Sequence, residues 1–216
     1  MKKVCLIIGA GAGIGGTVGA KFAAHGYHAA LARRSDTAGL DKLVSEIVAR
    51  GDSASGHLLN ATEEGAIEKL VEEVEQLGPI DVVLFNLGAQ IGNRALEQTA
   101  LKTFELGWKM ACFGLFRLAK AVLPAMEARG RGTILVTSAT AAVRGNAGQH
   151  SHAAAMGGRR MLCQTLNAEY APKGIHVAHI IVDGAVDAPD TLGKMLGPEM
   201  FEQLRDARGK EKDGLL

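Results

Sequence analysis

A glycine cluster near the amino end of the chain is the first group of residues with a recognisable chemical use. Its members, together with one isoleucine, are Gly9, Gly11, Gly13, Ile14 and Gly15. A turn without side chains lets the backbone approach a pyrophosphate, and the N-terminus of a following helix offers unpaired N–H groups and partial positive charge. The cluster therefore predicts a dinucleotide-binding turn. The alternative is a tight strand-to-helix turn that binds nothing.

The elements that must position this turn follow from an alternation of short apolar runs with longer amphipathic stretches. The apolar runs predict six strands at about Lys3–Ile8, Tyr27–Ala32, Ser55–Leu59, Val82–Phe85, Gly132–Thr137 and His176–Val182. Helical spacing predicts Thr62–Leu77, Leu101–Arg129 with a bend at Pro124, Ser151–Tyr170 and Glu199–Ala207. This alternation is typical of a parallel sheet covered by helices on both faces.

Length and composition indicate which classes of function to expect. A chain of 216 residues suits one domain, residues 1–216, with one continuous core. Its net charge of +1, without a basic block, argues against nucleic acid or an anionic membrane as a partner. No apolar stretch approaches the ~20 residues of a membrane span, and the histidine spacings do not indicate a metal site. We expect a cytoplasmic protein with reduced cysteines that acts on a small molecule.

Four ordered segments of the chain resemble the short-chain dehydrogenase/reductase family. The first is the glycine turn, with its GxxxGxG spacing. The others are Asp81-Val-Val-Leu-Phe-Asn86-Leu87-Gly88, Phe116-Arg-Leu-Ala-Lys-Ala-Val-Leu-Pro-Ala-Met126 and Thr133-Ile-Leu-Val-Thr-Ser138. The resemblance covers nearly the whole chain. It implies an α/β fold, a three-layer Rossmann-type doubly wound parallel sheet with strand order 3-2-1-4-5-6, and an oxidoreductase acting on a carbonyl or alcohol.

The residues after the second strand predict which form of the cofactor is preferred. Arg33 and Arg34 stand where an acidic residue would bond the adenosine ribose of NAD, and guanidinium groups pair well with phosphate. NADP(H) is therefore expected in preference to NAD(H), the alternative being two solvated arginines in a loop. By resemblance, the remaining cofactor contacts are expected at Asn60, Ala61, Asn86, Gly88, Asp183 and Gly184.

The catalytic positions of the family are altered in this chain. Family members use a Tyr as proton donor, a Lys four residues later, an orienting Ser and an Asn in the long helix. The motifs place His152 at the Tyr position, Met156 at the Lys position and Ala111 at the Asn position, whereas Ser138 is retained. An imidazole with a pKa near ~6.5 donates a proton more readily than a phenol near ~10. Ser138 and His152 are the predicted catalytic residues, the alternative being an inactive site.

Three functions remain open on the sequence. The first is an NADP(H)-dependent oxidoreductase acting on a small carbonyl or alcohol, and the second is a non-catalytic NADP(H)-binding sensor or partner subunit. The third uses Ser138 and His152 for ester or lactone hydrolysis, with Asp183 as the one acid that would orient the imidazole. The resemblance further implies a homodimer through helices 101–129 and 151–170. The polar, Gly/Pro-punctuated region of about 187–210 is expected to be a substrate lid.

Overall fold

A six-stranded parallel sheet forms the centre of the computed structural model, which describes residues 2–88, 94–184, 186–188 and 192–209. Its strands are Val4–Ile8 (β1), His28–Arg33 (β2), Ser53–Leu58 (β3), Ile80–Phe85 (β4), Gly132–Ala139 (β5) and Ile175–Val182 (β6). Every neighbouring pair is parallel, and the spatial order is β3-β2-β1-β4-β5-β6. The predicted fold class and strand order are confirmed.

Helices cover both faces of the sheet and complete the three layers. They are Ile14–Ala24 (α1), Thr37–Val48 (α2), Ala66–Glu75 (α3), Leu101–Trp108 (α4), Gly114–Arg129 (α5), His150–Tyr170 (α6), Lys194–Leu196 (α7) and Pro198–Gly209 (α8). The two faces follow from the alternation of side chains along the central strands. Val4, Leu6 and Ile8 of β1 pack in the core beneath α3, α5 and α6, whereas Cys5 and Ile7 pack beneath α1 and α2.

The helix predicted at Thr62–Leu77 is shorter than its apolar spacing indicated. It begins at Ala66 and ends at Glu75. Gly65 precedes it with a φ of +74°, a conformation that a glycine adopts without strain and that cannot continue a helix backwards. The prediction of the start was wrong because residues 62–65 form turns at the carboxyl edge of the sheet, close to the glycine turn.

The long predicted helix Leu101–Arg129 has an interruption that the sequence did not reveal. Lys109–Phe113 form a π-helical turn between α4 and α5, so the hydrogen-bonding pattern changes there. Pro124 lies inside α5, which continues to Arg129. Single π-helical turns within α-helices often occur at functional sites. This one contains Ala111, the residue predicted to stand at the Asn position of the family.

The described residues include no helix that is both long enough and apolar enough to span a membrane. In the same ranges, no three His, Cys, Asp or Glu side chains are grouped so as to hold a metal ion. Cys5, Cys112 and Cys163 are free thiols, and burial raises the pKa of each of them. None of the three has the depressed pKa that a nucleophilic thiol requires.

Candidate functional site

The glycine turn joins β1 to α1 with almost no space around its backbone. Gly9 has a φ of +97°, and a Cβ atom there would lie 2.7 Å from the carbonyl oxygen of Asn86. A Cβ atom on Gly15 would clash with the carbonyl oxygen of Gly9. Gly13 occupies the N-cap position of α1, where no side chain caps the helix and no acidic residue lies in the first turn. The N–H of Gly16 already donates to the carbonyl of Gly11 at 2.8 Å, so the donors offered to an anion at the start of α1 are the N–H groups of Ile14 and Gly15.

Two cavities meet at this turn, along the carboxyl edge of the sheet. The arginine cavity has a volume of about 430 Å³, and its lining includes Gly9, Gly11, Arg33, Arg34, Asn60 and Ala61. The glycine cavity has a volume of about 620 Å³, and its lining includes Gly9, Gly11, Gly13, Ile14, Gly15, Asn86, Gly88 and Gly184. Of the predicted cofactor residues, only Asp183 is outside these linings; it lies exposed beside Gly184.

The two arginines at the end of β2 differ in their surroundings. Arg34 is exposed at the mouth of the arginine cavity. The side chain of Arg33 is only 18% exposed, and its Nη2 atom lies 3.0 Å from Oδ2 of Asp36. Asp36 caps α2, because its side chain accepts a hydrogen bond from the backbone N–H of Gly39. Arg33 is therefore held by an acid at a helix N-terminus, whereas the side chain of Arg34 is exposed to solvent.

Asn60 and Ala61 line the far wall of the arginine cavity. The side-chain amide of Asn60 donates to Glu63, and its oxygen accepts from the hydroxyl of Thr62, each at 2.8 Å. The carbonyl of Ala61 accepts a hydrogen bond of 3.2 Å from Arg117 of α5. The backbone of this wall is thus anchored to α5.

Asn86 connects the two halves of the site. Its Nδ2 atom donates to the carbonyl of Gly9 at 3.0 Å, and its Oδ1 atom accepts from the hydroxyl of Thr137 at 2.7 Å. Gly9 belongs to the glycine turn, and Thr137 precedes Ser138 in β5. The side chain of Asn86 thereby fixes the distance between the predicted phosphate-binding turn and the predicted catalytic strand.

Ser138 lies near the end of β5 and is 9% exposed. Its hydroxyl donates to the Sδ atom of Met156 at 3.6 Å. Met156 is itself buried and packs in a small apolar cluster with Ala111, Ala141 and Ala155. The residues predicted to stand at the family's Lys and Asn positions are thus apolar and pack in one buried cluster. The single hydroxyl hydrogen of Ser138 points to a thioether, whereas the hydrolase reading needs it on an imidazole.

His152 lies in the first turn of α6 and is half-buried. It lines a cavity of about 10 Å³ together with Arg94, Thr99, Thr103 and Gln149. That volume is sufficient for about one water molecule. The surroundings of His152 are thus polar, whereas those of Ser138 are dominated by Met156 and alanines.

Arg159 is a site residue that the sequence reasoning missed. It lies on α6 three residues after Met156, is 1% exposed, and donates hydrogen bonds to three backbone carbonyls. The acceptors are Ala111 at 2.9 Å, Thr137 at 2.6 Å and Leu87 at 2.6 Å. Burial lowers the pKa of Arg159 to about 10, which leaves it charged at neutral pH. Its signal in the sequence was a charge on the buried face of an otherwise small or apolar helix segment.

The predicted lid of about 187–210 is described in part, since 189–191 and 210 lie outside the described residues. Ala188, Leu192 and Leu204 line the glycine cavity, so this segment borders the candidate site. Arg205 of α8 lies 3.4 Å from the carboxylate of Asp187. The ion pair connects α8 to the chain that follows β6.

The two helices predicted to form a dimer carry both internal contacts and exposed apolar groups. A Cβ atom on Gly158 would lie 3.1 Å from Sγ of Cys112, so α6 packs closely on the π-helical turn of its own chain. Gly157 faces open space. Stacked aromatic rings lie half exposed from the end of α4 through the π-helical turn into α5: Trp108, Phe113 and Phe116.

Comparison with known proteins gives one consistent result. The family model described as short chain dehydrogenase matches residues 3–193. The chain is 30% identical over 190 residues to the 3-oxoacyl-(acyl-carrier-protein) reductase FabG of Thermotoga maritima, covering 88% of this chain and 76% of that protein. Among solved structures, a short-chain dehydrogenase from Rhodopseudomonas palustris matches with a TM-score of 0.80 and 31% identity, over 98% of this chain and 93% of that one. A short-chain dehydrogenase/reductase from Burkholderia xenovorans matches with a TM-score of 0.84 and 26% identity, over 95% and 81%.

Proposed function

Because the chain belongs to the short-chain dehydrogenase family of oxidoreductases, we propose that it is a divergent NADP(H)-dependent member that acts on a small carbonyl or alcohol. The observation that carries the proposal is the pair of cavities that meet at Gly9 and Gly11, with two arginines at one end. Members of this family use a nicotinamide dinucleotide. The cavities lie at the carboxyl edge of the sheet between β1 and β4, where doubly wound folds bind their ligands.

The residues present fit such a cofactor. Glycine at positions 9 and 15 lets the turn pack closely on itself and on the backbone of Asn86, and the uncapped start of α1 supplies N–H donors for a pyrophosphate. Arg33 and Arg34 would hold the 2′-phosphate, and Asn60 and Ala61 would border the adenine. Toward the nicotinamide we propose Asn86, Gly88, Gly184 and the neighbouring Asp183. When bound, the cofactor would supply or accept a hydride.

His152 and Ser138 would handle the proton in this proposal. In the direction of reduction, His152 donates a proton to the substrate oxygen, while the Ser138 hydroxyl donates a hydrogen bond that orients the same oxygen. A bond from a hydroxyl to a thioether is weak, so Ser138 loses little when it turns away from Met156. The segment around 187–210 would close over the substrate. Because its residues Ala188, Leu192 and Leu204 line the glycine cavity, the substrate would be apolar.

The second candidate function is a non-catalytic NADP(H)-binding protein that acts as a sensor or partner subunit. The apolar cluster around Met156 favours it, since no charged side chain at that position would bind the nicotinamide ribose or assist a proton donor. In either case we propose a homodimer through the helices of 101–129 and 151–170. Support comes from the exposed rings of Trp108, Phe113 and Phe116 and from the open face at Gly157.

Binding experiments test the cofactor proposal. Fluorescence titration with NADPH and NADH should show tighter binding of NADPH, and Arg33→Ala should remove about 1.5–3 kcal/mol of that preference, about 10–150-fold in Kd. Arg50→Ala is the matched control, because Arg50 is exposed before β3 at the opposite edge of the sheet. Equal binding of both cofactors by the wild type would refute the 2′-phosphate assignment. Absent binding of either cofactor would refute the function.

Turnover experiments separate the two candidates. NADPH consumption with a panel of small carbonyls, lost in His152→Phe while NADPH binding is retained, would support the enzyme. Activity that appears only in the double variant His152→Tyr, Met156→Lys would mark the natural site as inactive and favour the non-catalytic function.

A further inference from the structure

The guanidinium of Arg159 lies beneath the nicotinamide end of the candidate site. Its hydrogen bonds, within the described part of the chain, go to backbone carbonyls, and its Cζ atom lies 5.1 Å from the centre of the Phe85 ring. Taking a guanidinium out of water costs several kcal/mol, which short charge-assisted bonds must offset. A methionine would fill much of the same elongated space without that desolvation cost, but it would make none of these bonds. The charge and the three bonds therefore need a reason beyond packing.

The three acceptors belong to three different segments of the site. Leu87 lies between Asn86 and Gly88, which line the glycine cavity. Thr137 directly precedes Ser138 in β5. Ala111 is in the π-helical turn at 109–113. One planar side chain thus determines where the ends of β4 and β5 and the start of α5 stand relative to each other.

Arg159 is also related in sequence to the altered catalytic positions. It lies three residues after Met156 and seven after His152, so all three occupy one side of α6. Met156 brings no charge to the site, whereas Arg159 carries a charge one turn further along the same side of the helix. The N–H groups of Arg159 bond the carbonyls from the protein interior, and with only 1% of its surface exposed, Arg159 cannot touch a ligand in the cleft.

Building on the proposed function, we infer that Arg159 is a positioning residue for the nicotinamide half of the site. It fixes the Asn86–Gly88 segment and the Thr137–Ser138 step through their carbonyls. Leu87 also lines the arginine cavity, but the groups proposed for the 2′-phosphate and the adenine are held by other contacts. The arginine cavity is anchored separately, by Arg117 on the carbonyl of Ala61.

The test compares two probes on the full chain. NADPH occupies both halves of the proposed site, whereas adenosine 2′,5′-bisphosphate occupies only the adenosine half. Arg159→Met should weaken NADPH binding about tenfold or more, because small displacements of positioning groups have large effects, and should leave the bisphosphate affinity unchanged. Arg159→Lys keeps the charge but not the planar fork, so it should show the same selective effect at smaller size. It carries the test if the Met variant does not fold.

Arg129→Met is the matched control. Arg129 donates to the carbonyl of Ile80 at 2.7 Å at the opposite edge of the sheet, so its loss costs a comparable bond without touching the site. Arg129→Met should lower the free energy of unfolding and leave the affinities for NADPH and for the bisphosphate unchanged. Equal weakening of both probes in the Arg159 variants, or weakening of neither, would overturn the inference. If the wild type bound the bisphosphate and NADPH equally poorly, the proposed function itself would fail, and the inference with it.

Discussion

Two glycines in helices of this chain should respond to alanine in opposite directions. At Gly15 in α1, a Cβ atom would lie inside the 3.0 Å limit that Cβ atoms essentially never cross, and the obstructing atoms are backbone atoms of Gly9 and Ala10. At Gly157 in α6, a Cβ atom would have no heavy atom within 4 Å apart from its chain neighbours and the nearby backbone of the same helix. The same substitution therefore meets a rigid turn in one place and open space in the other.

The magnitudes follow from these surroundings. Gly157→Ala should stabilise the fold by up to about 1 kcal/mol through helix propensity, which raises Tm by about 2–4 °C for a chain of this size. Gly15→Ala should destabilise it by about 1–3 kcal/mol, since backbone and not a flexible side chain must move. The displaced atoms belong to the turn at Gly9, so we also expect NADPH affinity to fall about tenfold or more.

The assay is urea denaturation and NADPH titration on both variants. Denaturation is repeated at two protein concentrations, because an interface on the face of Gly157 would make its gain concentration-dependent. Wild-type stability and wild-type affinity in Gly15→Ala would refute the description of the turn. Destabilisation by Gly157→Ala at low concentration would contradict the open space at that position.

Three further predictions follow from charges and burial. Burial lowers the pKa of His28 and His57 below 6.5. Below pH 6.5 the unfolded state therefore binds more protons than the folded state, and the free energy of unfolding should fall as the pH drops through the lowered pKa values. Urea denaturation at about pH 7.5 and 5.5 should show this fall in the wild type and a smaller fall in His57→Gln. Hydrogen bonds from Arg117 lower the pKa of Glu68 from 4.5. The stabilisation by this ion pair is therefore present above pH 4.5 and lost as the pH falls through the lowered pKa. Arg117→Met should lower the free energy of unfolding by about 1 kcal/mol at neutral pH and by less at about pH 3, and an equal loss at both pH values would contradict this prediction. Burial raises the pKa of Cys5 to about 12, so this thiol should resist a disulfide reagent in the native protein and react after unfolding, as followed by mass spectrometry; rapid native labelling would argue against its burial.

The sheet could be predicted from the sequence because local pattern determines most of its strands. All five residues of β1 are fully buried apolar side chains, and β4 differs from its prediction only at its start. The strand β3 begins two residues before its predicted start at Ser55, because Ser53 is polar and does not extend the apolar pattern. The backbone of Ser53 pairs with His28 of β2 and its hydroxyl bonds the His28 ring, contacts that no local pattern contains. The start of α3 was likewise decided by the conformation of Gly65.

The candidate site also contains residues that local sequence predicts and residues that only the folded structure reveals. The glycine turn is a local motif, and its residues come together as the motif predicts. The role of Arg159 depends on carbonyls 22 to 72 residues away in the chain, so only the folded molecule reveals it. The contact between Ser138 and Met156 also required the structure, since spacing on α6 gives the face of Met156 but not its partner across the sheet.

The link made by Asn86 has a consequence for the order of events during synthesis. Its partner Gly9 lies 77 residues earlier, and its partner Thr137 lies 51 residues later. Contacts of such separation form late, since the chain must first close long loops. At about 5–20 residues per second on the ribosome, Thr137 is added on the order of ten seconds after Gly9. A nascent chain that ends before β5 lacks the strand to which Asn86 is bonded. A nicotinamide dinucleotide bound as we propose could therefore assist folding only after more than half of the protein has been made.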